Sequence, residues 1–215
     1  MTYQILKAGE SRSFAADHPL IAGAAESGDV VVIVGVNAGV VFRELNNRER
    51  KLAILIELGA ECLGVHTGEG RGEEGSNAVG FARFRLGNGE PSNLVELVRQ
   101  PRTADAAVAA AKQVFESAGL QVAMCGDFAG RIIDRLVRPY YNAALTRLDE
   151  GLASAADLDM TLRLGLGYPE GPVELMERTG LAPHYDVTQA LFEAYGDAAY
   201  APARRARVAK QRQQR

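Results

Sequence analysis

An apolar run near the start of the chain, Asp29-Val30-Val31-Val32-Ile33-Val34-Gly35, limits what the chain can fold into more than any other segment. Consecutive β-branched residues favour a strand, and the lack of alternating polar positions means that both faces of that strand must be covered. Parallel sheets with helices on either side provide this environment. The run therefore predicts an α/β domain in the N-terminal part of the chain.

The composition excludes several classes of function. With 47% hydrophobic and 24% charged residues the chain is typical of globular proteins, and a net charge of -3 gives no basic surplus for nucleic acid. No apolar segment reaches the ~20 residues of a membrane helix, and the N-terminus lacks a signal-peptide pattern. Cys62 and Cys125 lie far apart and are predicted to be reduced thiols. We therefore expect a cytoplasmic protein with no nucleic-acid or membrane partner.

Residues 1–100 contain further strand, helix and loop patterns around that run. Apolar positions from about 40 to 58 predict a helix, although their spacing is irregular. Three more segments are predicted strands: Cys62–Val65, Val79–Leu86 and Leu94–Val98. The segment His66–Ser76 is rich in glycine and is predicted to be a loop.

From about residue 101 the pattern is mostly helical, apart from a predicted short strand at Val122–Cys125. Helices are predicted over about 104–118, over about 130–150, from the Ser154 cap onward, from Pro172 to Gly180, and over about 183–195. The basic tail, Ala203–Arg215, is predicted to be a solvated terminal helix; contact with a CoA phosphate or an acidic partner is the alternative. We therefore predict two domains, residues 1–100 and 101–215.

A glycine- and proline-rich segment in the second half carries the strongest motif. It runs Leu164-Gly165-Leu166-Gly167-Tyr168-Pro169-Glu170-Gly171-Pro172-Val173-Glu174-Leu175 and is followed by Gly180-Leu181. Glycines allow close backbone approach and positive φ, and the prolines define where one helix ends and the next begins. Further motifs lie around it: Asp127–Leu136 with Pro139-Tyr140, Glu150-Gly151, Ser154–Asp159, and Gly196-Asp197. These ordered motifs resemble the helical C-terminal domain of the 3-hydroxyacyl-CoA dehydrogenase family.

This resemblance implies a fold and an activity. The fold is an α/β N-terminal domain with a truncated Rossmann-like sheet, followed by an all-α domain of the 6-phosphogluconate dehydrogenase C-terminal-like type. Members of the family transfer a hydride between NAD and C3 of a 3-hydroxyacyl-CoA, with a His–Glu pair as general base and a nearby serine and asparagine. Their helical domain pairs subunits, so the resemblance also implies a homodimer and an acyl-CoA ligand.

The N-terminal part departs from the family at the nucleotide-binding loop. A Rossmann domain needs Gly-x-Gly-x-x-Gly after its first strand, and the nearest segment, Gly35-Val36-Asn37-Ala38-Gly39, has the wrong spacing. By resemblance, Asp29–Gly35 matches the family's fourth strand, which leaves the strands on the adenosine side missing or reduced to residues 1–28. We therefore expect the NAD-binding half to be missing and no cofactor to bind, and we assign no cofactor-binding residues.

The catalytic positions also differ from the family pattern. By resemblance, Arg83 falls at the family's histidine, Glu96 is the retained glutamate, Asp134 stands at the asparagine position, and Gly68 falls at the serine position. Arginine keeps its proton over the accessible pH range and cannot act as a general base. The resulting hypothesis is an ion pair between Arg83 and either Glu96 or Asp134 in place of the His–Glu pair.

The remaining candidate side chains have simpler interpretations. A histidine and several glutamates in the glycine-rich loop could suggest a metal site: His66, Glu69, Glu73 and Glu74. Scattered residues of these types in such a loop are more typical of a solvated acidic surface, so we expect no metal. The other two histidines, His18 and His184, are predicted to be structural.

Three functions remain open. The first is a catalytically degenerate family member that acts as an acyl-CoA-binding, assembly or regulatory module, because the histidine and the glycine fingerprint are lost. The second is an active NAD-dependent 3-hydroxyacyl-CoA dehydrogenase, or one half of a split enzyme completed by a partner subunit. The third is an unrelated activity built on Glu96, Arg83 and Asp134.

Overall fold

The structure is a computed structural model and describes residues 2–214. The chain divides into two compact units. The first comprises the residues up to Arg85 together with Pro91–Ile132, and the second comprises Leu86–Glu90 with the residues from Ile133 onward. In the described part of the chain, no helix is both long and apolar enough to cross a membrane.

The first unit is built on a six-stranded sheet whose strands lie side by side in chain order. The first four strands are parallel, the fourth and fifth are antiparallel, and the fifth and sixth are parallel. The strands are β1 Tyr3–Lys7, β2 Val30–Val34, β3 Ala53–Glu57, β4 Ala78–Arg83, β5 Leu94–Arg99 and β6 Gln121–Gly126. This order places β1 at one edge of the sheet, where β2 is its neighbour.

Both faces of the sheet are covered, as the apolar sequence of β2 requires. All five residues of β2 are buried. Val30, Val32 and Val34 belong to one hydrophobic cluster, and Val31 and Ile33 belong to a second cluster. Because successive side chains of a strand point to opposite faces, these clusters lie on the two sides of the sheet. The prediction of a buried parallel strand is therefore confirmed.

Helices of the first unit connect the strands and cover the sheet. They are α1 Pro19–Ala22, α2 Ala38–Glu44, α3 Gly64–Thr67 and α4 Asp105–Ser117, with a 3-10 turn at Arg48–Arg50. The apolar side of α4, which includes Val114 and Phe115, packs in the same cluster as β2 and β5. Because α4 and β6 extend the core and the sheet of this unit, the two units divide at Ile132 rather than after residue 100.

The second unit consists of helices. They are α5 Arg131–Asp149, whose first two residues belong to the first unit, α6 Ala155–Leu166, α7 Pro172–Thr179, α8 Leu181–Tyr195 and α9 Arg204–Gln213, with a 3-10 turn at Ala198–Tyr200. The Ser154 hydroxyl accepts a hydrogen bond from the Asp157 N–H and caps α6, as predicted. The described part of the basic tail forms the helix α9, also as predicted, and Arg215 lies outside the described residues.

The glycine- and proline-rich motif forms the bend between α6 and α7. The Asp159 carboxylate accepts hydrogen bonds from the Val173 and Glu174 N–H groups at 2.8 and 3.0 Å, so it binds the first turn of α7. A Cβ at Gly171 would lie 2.2 Å from the Cβ of Asp159, which explains why glycine stands there. Pro172 then occupies the first turn of α7, where its missing N–H costs no hydrogen bond.

Two local predictions in the first unit are wrong. The helix predicted over about 40–58 is limited to α2, because Asn47 turns the chain with a left-handed φ of 55° and residues 53–57 form β3. The strand predicted at Cys62–Val65 is the start of the helical turn α3. The N–H groups of Leu63 and Gly64 bind the Asp127 carboxylate, a partner 63 to 64 residues away that local sequence cannot reveal.

Candidate functional site

Glu96, which the resemblance places at the family's glutamate position, lies in the middle of β5. Its side chain is 4% exposed, and its carboxylate accepts a hydrogen bond from the Ile132 N–H at 2.9 Å. The Arg131 guanidinium lies close to it, with Nε 3.9 Å from a carboxylate oxygen, and the Arg131 side chain is also 4% exposed. A buried carboxylate needs an opposite charge and hydrogen bonds, and Arg131 with the Ile132 amide supply both.

Arg131 is held in place by the loop that follows β3. Its guanidinium donates hydrogen bonds to the carbonyl oxygens of Gly59 and Glu61. Its backbone has a left-handed φ of 51°, which is unusual for a residue other than glycine. Sequence reasoning missed this arginine as the partner of Glu96. Its presence in the motif Asp127–Leu136 was the only available signal, and nothing in that motif indicates which carboxylate it approaches.

Arg83, which the resemblance places at the family's histidine position, points away from Glu96. In the antiparallel ladder Arg83 lies opposite Val95, whereas Glu96 lies opposite Ala82, so the two side chains are on different faces of the sheet. The Arg83 guanidinium donates to the carbonyl oxygens of Ser92 and Ser13 at 2.8 and 2.7 Å. The hypothesis of an Arg83–Glu96 ion pair is therefore wrong, because the strand register separates the two side chains.

Asp134, which the resemblance places at the family's asparagine position, belongs to the second unit. Its carboxylate accepts a hydrogen bond from Nε of Arg138, one turn further along α5, at 2.6 Å. The Arg138 Nη1 lies 3.0 Å from His184 Nδ1, and His184 Nε2 lies 2.9 Å from Asn142 Oδ1. Asp134 is thus the outer member of a network that runs into the core of the helical unit, where His184 is 1% exposed.

A small cleft of about 140 Å³ lies at the carboxyl ends of β1, β2 and β3, the edge at which α/β sheets bind ligands. Its lining includes Arg12, Gly35, Glu57, Glu61 and His66. Glu57 is 7% exposed, and its two carboxylate oxygens accept hydrogen bonds from the Ser13 N–H at 2.9 Å and the Gly35 N–H at 2.6 Å. Sequence analysis did not single out Glu57, because its partners lie in two other loops.

The same cleft contains a histidine–glutamate pair. His66 Nε2 lies 3.4 Å from Glu61 Oε1, and the His66 side chain is 11% exposed. Burial alone would raise the pKa of the Glu61 carboxyl, but hydrogen bonds from His66 and from the Gly59 amide outweigh burial and lower this pKa. The ring lies directly against α2, since a Cβ on Gly39 would be 2.1 Å from His66 Nδ1. His66 therefore packs between elements of the first unit.

The glycine-rich loop and the end of β6 form a larger cleft of about 610 Å³, which includes Arg99, Met124, Cys125 and Phe128. Burial and the nearby Glu96 raise the pKa of the Cys125 thiol to about 11, so this thiol stays protonated and is a poor nucleophile at neutral pH. Among residues 2–214, no three His, Cys, Asp or Glu side chains are arranged to hold a metal ion. Glu74, for example, accepts hydrogen bonds from the amides of its own loop.

Comparison with known proteins identifies the helical part of the chain. Residues 130–215 match the family described as 3-hydroxyacyl-CoA dehydrogenase, C-terminal domain. The 3-hydroxybutyryl-CoA dehydrogenase of Bradyrhizobium diazoefficiens is 37% identical over 109 residues, which are 51% of this chain and 37% of that protein. The mitochondrial hydroxyacyl-coenzyme A dehydrogenase of Homo sapiens is 34% identical over 102 residues, or 47% of this chain and 32% of that protein. The matches thus span well under half of these relatives.

Solved structures support the fold over more of the chain. The (S)-3-hydroxybutyryl-CoA dehydrogenase of Ralstonia eutropha superposes with a TM-score of 0.68 at 23% identity, covering 84% of this chain and 64% of that one. The 3-hydroxybutyryl-CoA dehydrogenase of Escherichia coli K12 gives a TM-score of 0.57 at 24% identity, covering 74% and 32%. At these identities the likeness concerns the fold alone.

The fold defines a truncated Rossmann-like α/β unit followed along the chain by a helical unit, as predicted from the sequence. The helical part, residues 130–215, matches the C-terminal domain of the 3-hydroxyacyl-CoA dehydrogenase family, a family of acyl-CoA metabolism. The resemblance inferred from the glycine- and proline-rich motif is therefore confirmed.

Proposed function

We propose that this chain is a catalytically degenerate, acyl-CoA-binding module of its family. The observation that carries the proposal is the environment of Glu96, whose carboxylate faces the Arg131 guanidinium and accepts the Ile132 N–H. In the family pattern a histidine accompanies this glutamate. Arginine keeps its proton and cannot replace histidine as the group that removes the proton of a substrate hydroxyl.

The other candidate bases do not restore the family arrangement. Arg83 is on the opposite face of the sheet from Glu96, and it is an arginine in any case. His66 contacts Glu61, a different glutamate, in the cleft at the ends of β1–β3. The positions of Arg83 and His66 therefore support the proposal that the chain keeps the fold but does not catalyse the dehydrogenase reaction.

The loops that follow β1 and β2 do not fit NAD. A dinucleotide-binding sheet has strands on both sides of its first strand, and the N–H groups of the loop after that strand hold the pyrophosphate. Here, within residues 2–214, β1 pairs with β2 alone, and the Ser13 and Gly35 N–H groups donate to Glu57. A carboxylate at this point repels a phosphate at short range. These features support a role that does not depend on a bound dinucleotide.

Steady-state assays and calorimetry on the purified full chain test the proposal. We expect no NADH oxidation with acetoacetyl-CoA above background, and saturable binding of acetoacetyl-CoA by isothermal titration. Turnover that is lost in Glu96→Gln but kept in the surface variant Glu116→Gln would show that the chain catalyses the family's reaction. This result would contradict the proposal that the chain is catalytically degenerate. Absence of acyl-CoA binding would contradict the ligand part of the proposal.

A split enzyme is the second candidate, and the position of β1 favours it. Within residues 2–214, β1 pairs with β2 alone, whereas the first strand of a dinucleotide-binding sheet has neighbours on both sides. A partner subunit that supplies the missing strands would pair along this edge and complete the nucleotide-binding half. Co-purification of such a chain, with NADH-dependent turnover that neither chain shows alone, would favour this candidate over the first.

A further inference from the structure

Glu57 is a buried carboxylate at the end of β3 whose partners are backbone amides. One oxygen accepts the Ser13 N–H from the loop after β1, and the other accepts the Gly35 N–H that directly follows β2. The Glu57 carboxylate thus links the carboxyl ends of three neighbouring parallel strands. Among residues 2–214, Glu57 forms no ion pair with a lysine or arginine, so the amides are what compensates its burial.

The geometry of these amides is that of an anion site. Backbone N–H groups in the loops at the carboxyl ends of parallel strands are the donors that α/β sheets use for phosphates. Gly35 has a φ of 118°, and a Cβ there would lie 2.6 Å from the backbone of Ala8. Only glycine allows the chain to turn here with its N–H directed at the carboxylate.

We infer that Glu57 is an internal anion that fills the phosphate-type cradle of the first unit, so that this cleft is closed to nucleotide phosphates while the carboxylate is present. The inference goes beyond acyl-CoA binding, since it concerns the anion that the fold itself supplies. It also gives the glutamate a definite role: β1, β2 and β3 are tied together at their carboxyl ends without a bound ligand.

Rescue by a small anion tests the inference on the full chain. Glu57→Ala removes the carboxylate that accepts both N–H groups, and it leaves the Ser13 N–H with only its longer hydrogen bond, 3.2 Å, to the Ser11 hydroxyl. We expect its Tm to fall by roughly 5 °C or more, and formate to raise it again in a saturable manner relative to chloride at equal ionic strength. The wild type has its own carboxylate in place and is expected to respond to neither formate nor inorganic phosphate beyond the chloride control.

Glu61→Ala is the matched control, because Glu61 lines the same cleft but accepts its backbone hydrogen bond from Gly59 within its own loop. We expect no formate-specific rise in its Tm. The inference is overturned if Glu57→Ala is as stable as the wild type, if formate acts equally on all three proteins, or if inorganic phosphate specifically stabilises the wild type.

A second variant keeps the test decisive if Glu57→Ala does not fold. Glu57→Gln keeps the shape of the side chain, removes the charge and leaves no room for formate. We expect a lower Tm than that of the wild type with no response to formate, and an unchanged Tm would overturn the inference. The Glu57 experiments measure thermal stability and do not depend on acyl-CoA. A failure to bind acyl-CoA would therefore contradict the proposed function without affecting the inference about Glu57.

Discussion

The protonation state of His184 is determined by its hydrogen-bond partners in the helical unit. Arginine has only donors, so the Arg138 Nη1 must donate to His184 Nδ1, and the ring proton resides on Nε2 facing Asn142 Oδ1. The ring is therefore neutral. Burial, with a further contribution from Arg138, lowers the pKa of His184 to about 3. The prediction that this histidine is structural agrees with its place in the network.

This lowered pKa predicts that the protein loses stability in mild acid. An unfolded histidine has a pKa of about 6.5, so between about pH 6.5 and 3 the unfolded state binds the proton and the folded state does not. Stability that is present above pH 6.5 is lost as the pH falls. We expect the free energy of unfolding to drop by about 1–2 kcal/mol between pH 6.5 and 5, measured by urea denaturation at each pH.

Two variants separate the contribution of His184 to this pH dependence from the contributions of the other histidines. In His184→Gln the slope of unfolding free energy against pH over this interval is expected to become much shallower, whatever the absolute stability of the variant. His18→Gln, which changes a half-exposed histidine of the first unit, is expected to retain most of the slope. Equal slopes in the wild type and His184→Gln would contradict the assignment.

At the scale of elements, the bend between α6 and α7 is stabilised by one carboxylate. Asp159 is 7% exposed and accepts the N–H groups of Val173 and Glu174 at the start of α7. Its charge also complements the positive end of that helix. We expect Asp159→Asn to reduce the free energy of unfolding by about 1–3 kcal/mol, because an amide of the same size loses the charge and one acceptor.

Asp157→Asn is the matched control for this prediction. Asp157 is an exposed aspartate on the same helix, and its carboxylate contacts the Ser154 hydroxyl. We expect a change within about 0.5 kcal/mol. Denaturant unfolding followed by circular dichroism measures both variants, and equal losses would show that the bend does not depend on the buried carboxylate.

The elements that the sequence predicts well are those with local signals. The Ser154 cap, Pro172 in the first turn of α7 and the all-apolar β2 are each determined by residues within a few positions of one another. The helix predicted over residues 53–57 is wrong because a short apolar run has no period that separates helix from strand. The neighbouring strands decide that case, and they are remote in sequence.

The candidate site was predictable only in part for the same reason. The resemblance placed Glu96 on β5, but its Ile132 partner lies 36 residues away. Glu57 binds amides that lie 44 and 22 residues away, and no local pattern marks it as a site residue. Strand register also decides that Arg83 and Glu96 face opposite sides, and register depends on the assembled sheet.

For the whole molecule, the first unit has a shortened sheet while the second unit keeps the family's helical domain. The second unit also leaves large apolar side chains exposed: Leu136 at 71%, Leu152 at 67%, Leu164 at 81% and Leu166 at 64%. The first unit also exposes large apolar side chains, so what points to the second unit is the resemblance to a family whose helical domain pairs subunits. We therefore propose that the chain forms a homodimer through the helical unit.

Light scattering coupled to size-exclusion chromatography tests this proposal. The wild type is expected to have the mass of two chains at micromolar concentration, and Leu164→Glu is expected to shift it toward one chain. Because Leu164 is 81% exposed, the substitution should cost little folding stability, within about 0.5 kcal/mol. Val65→Glu, which changes a side chain 66% exposed in the first unit, serves as the control and is expected to leave the mass unchanged. A wild type that is monomeric throughout, or a dimer that Val65→Glu disrupts and Leu164→Glu does not, would contradict assembly through the helical unit.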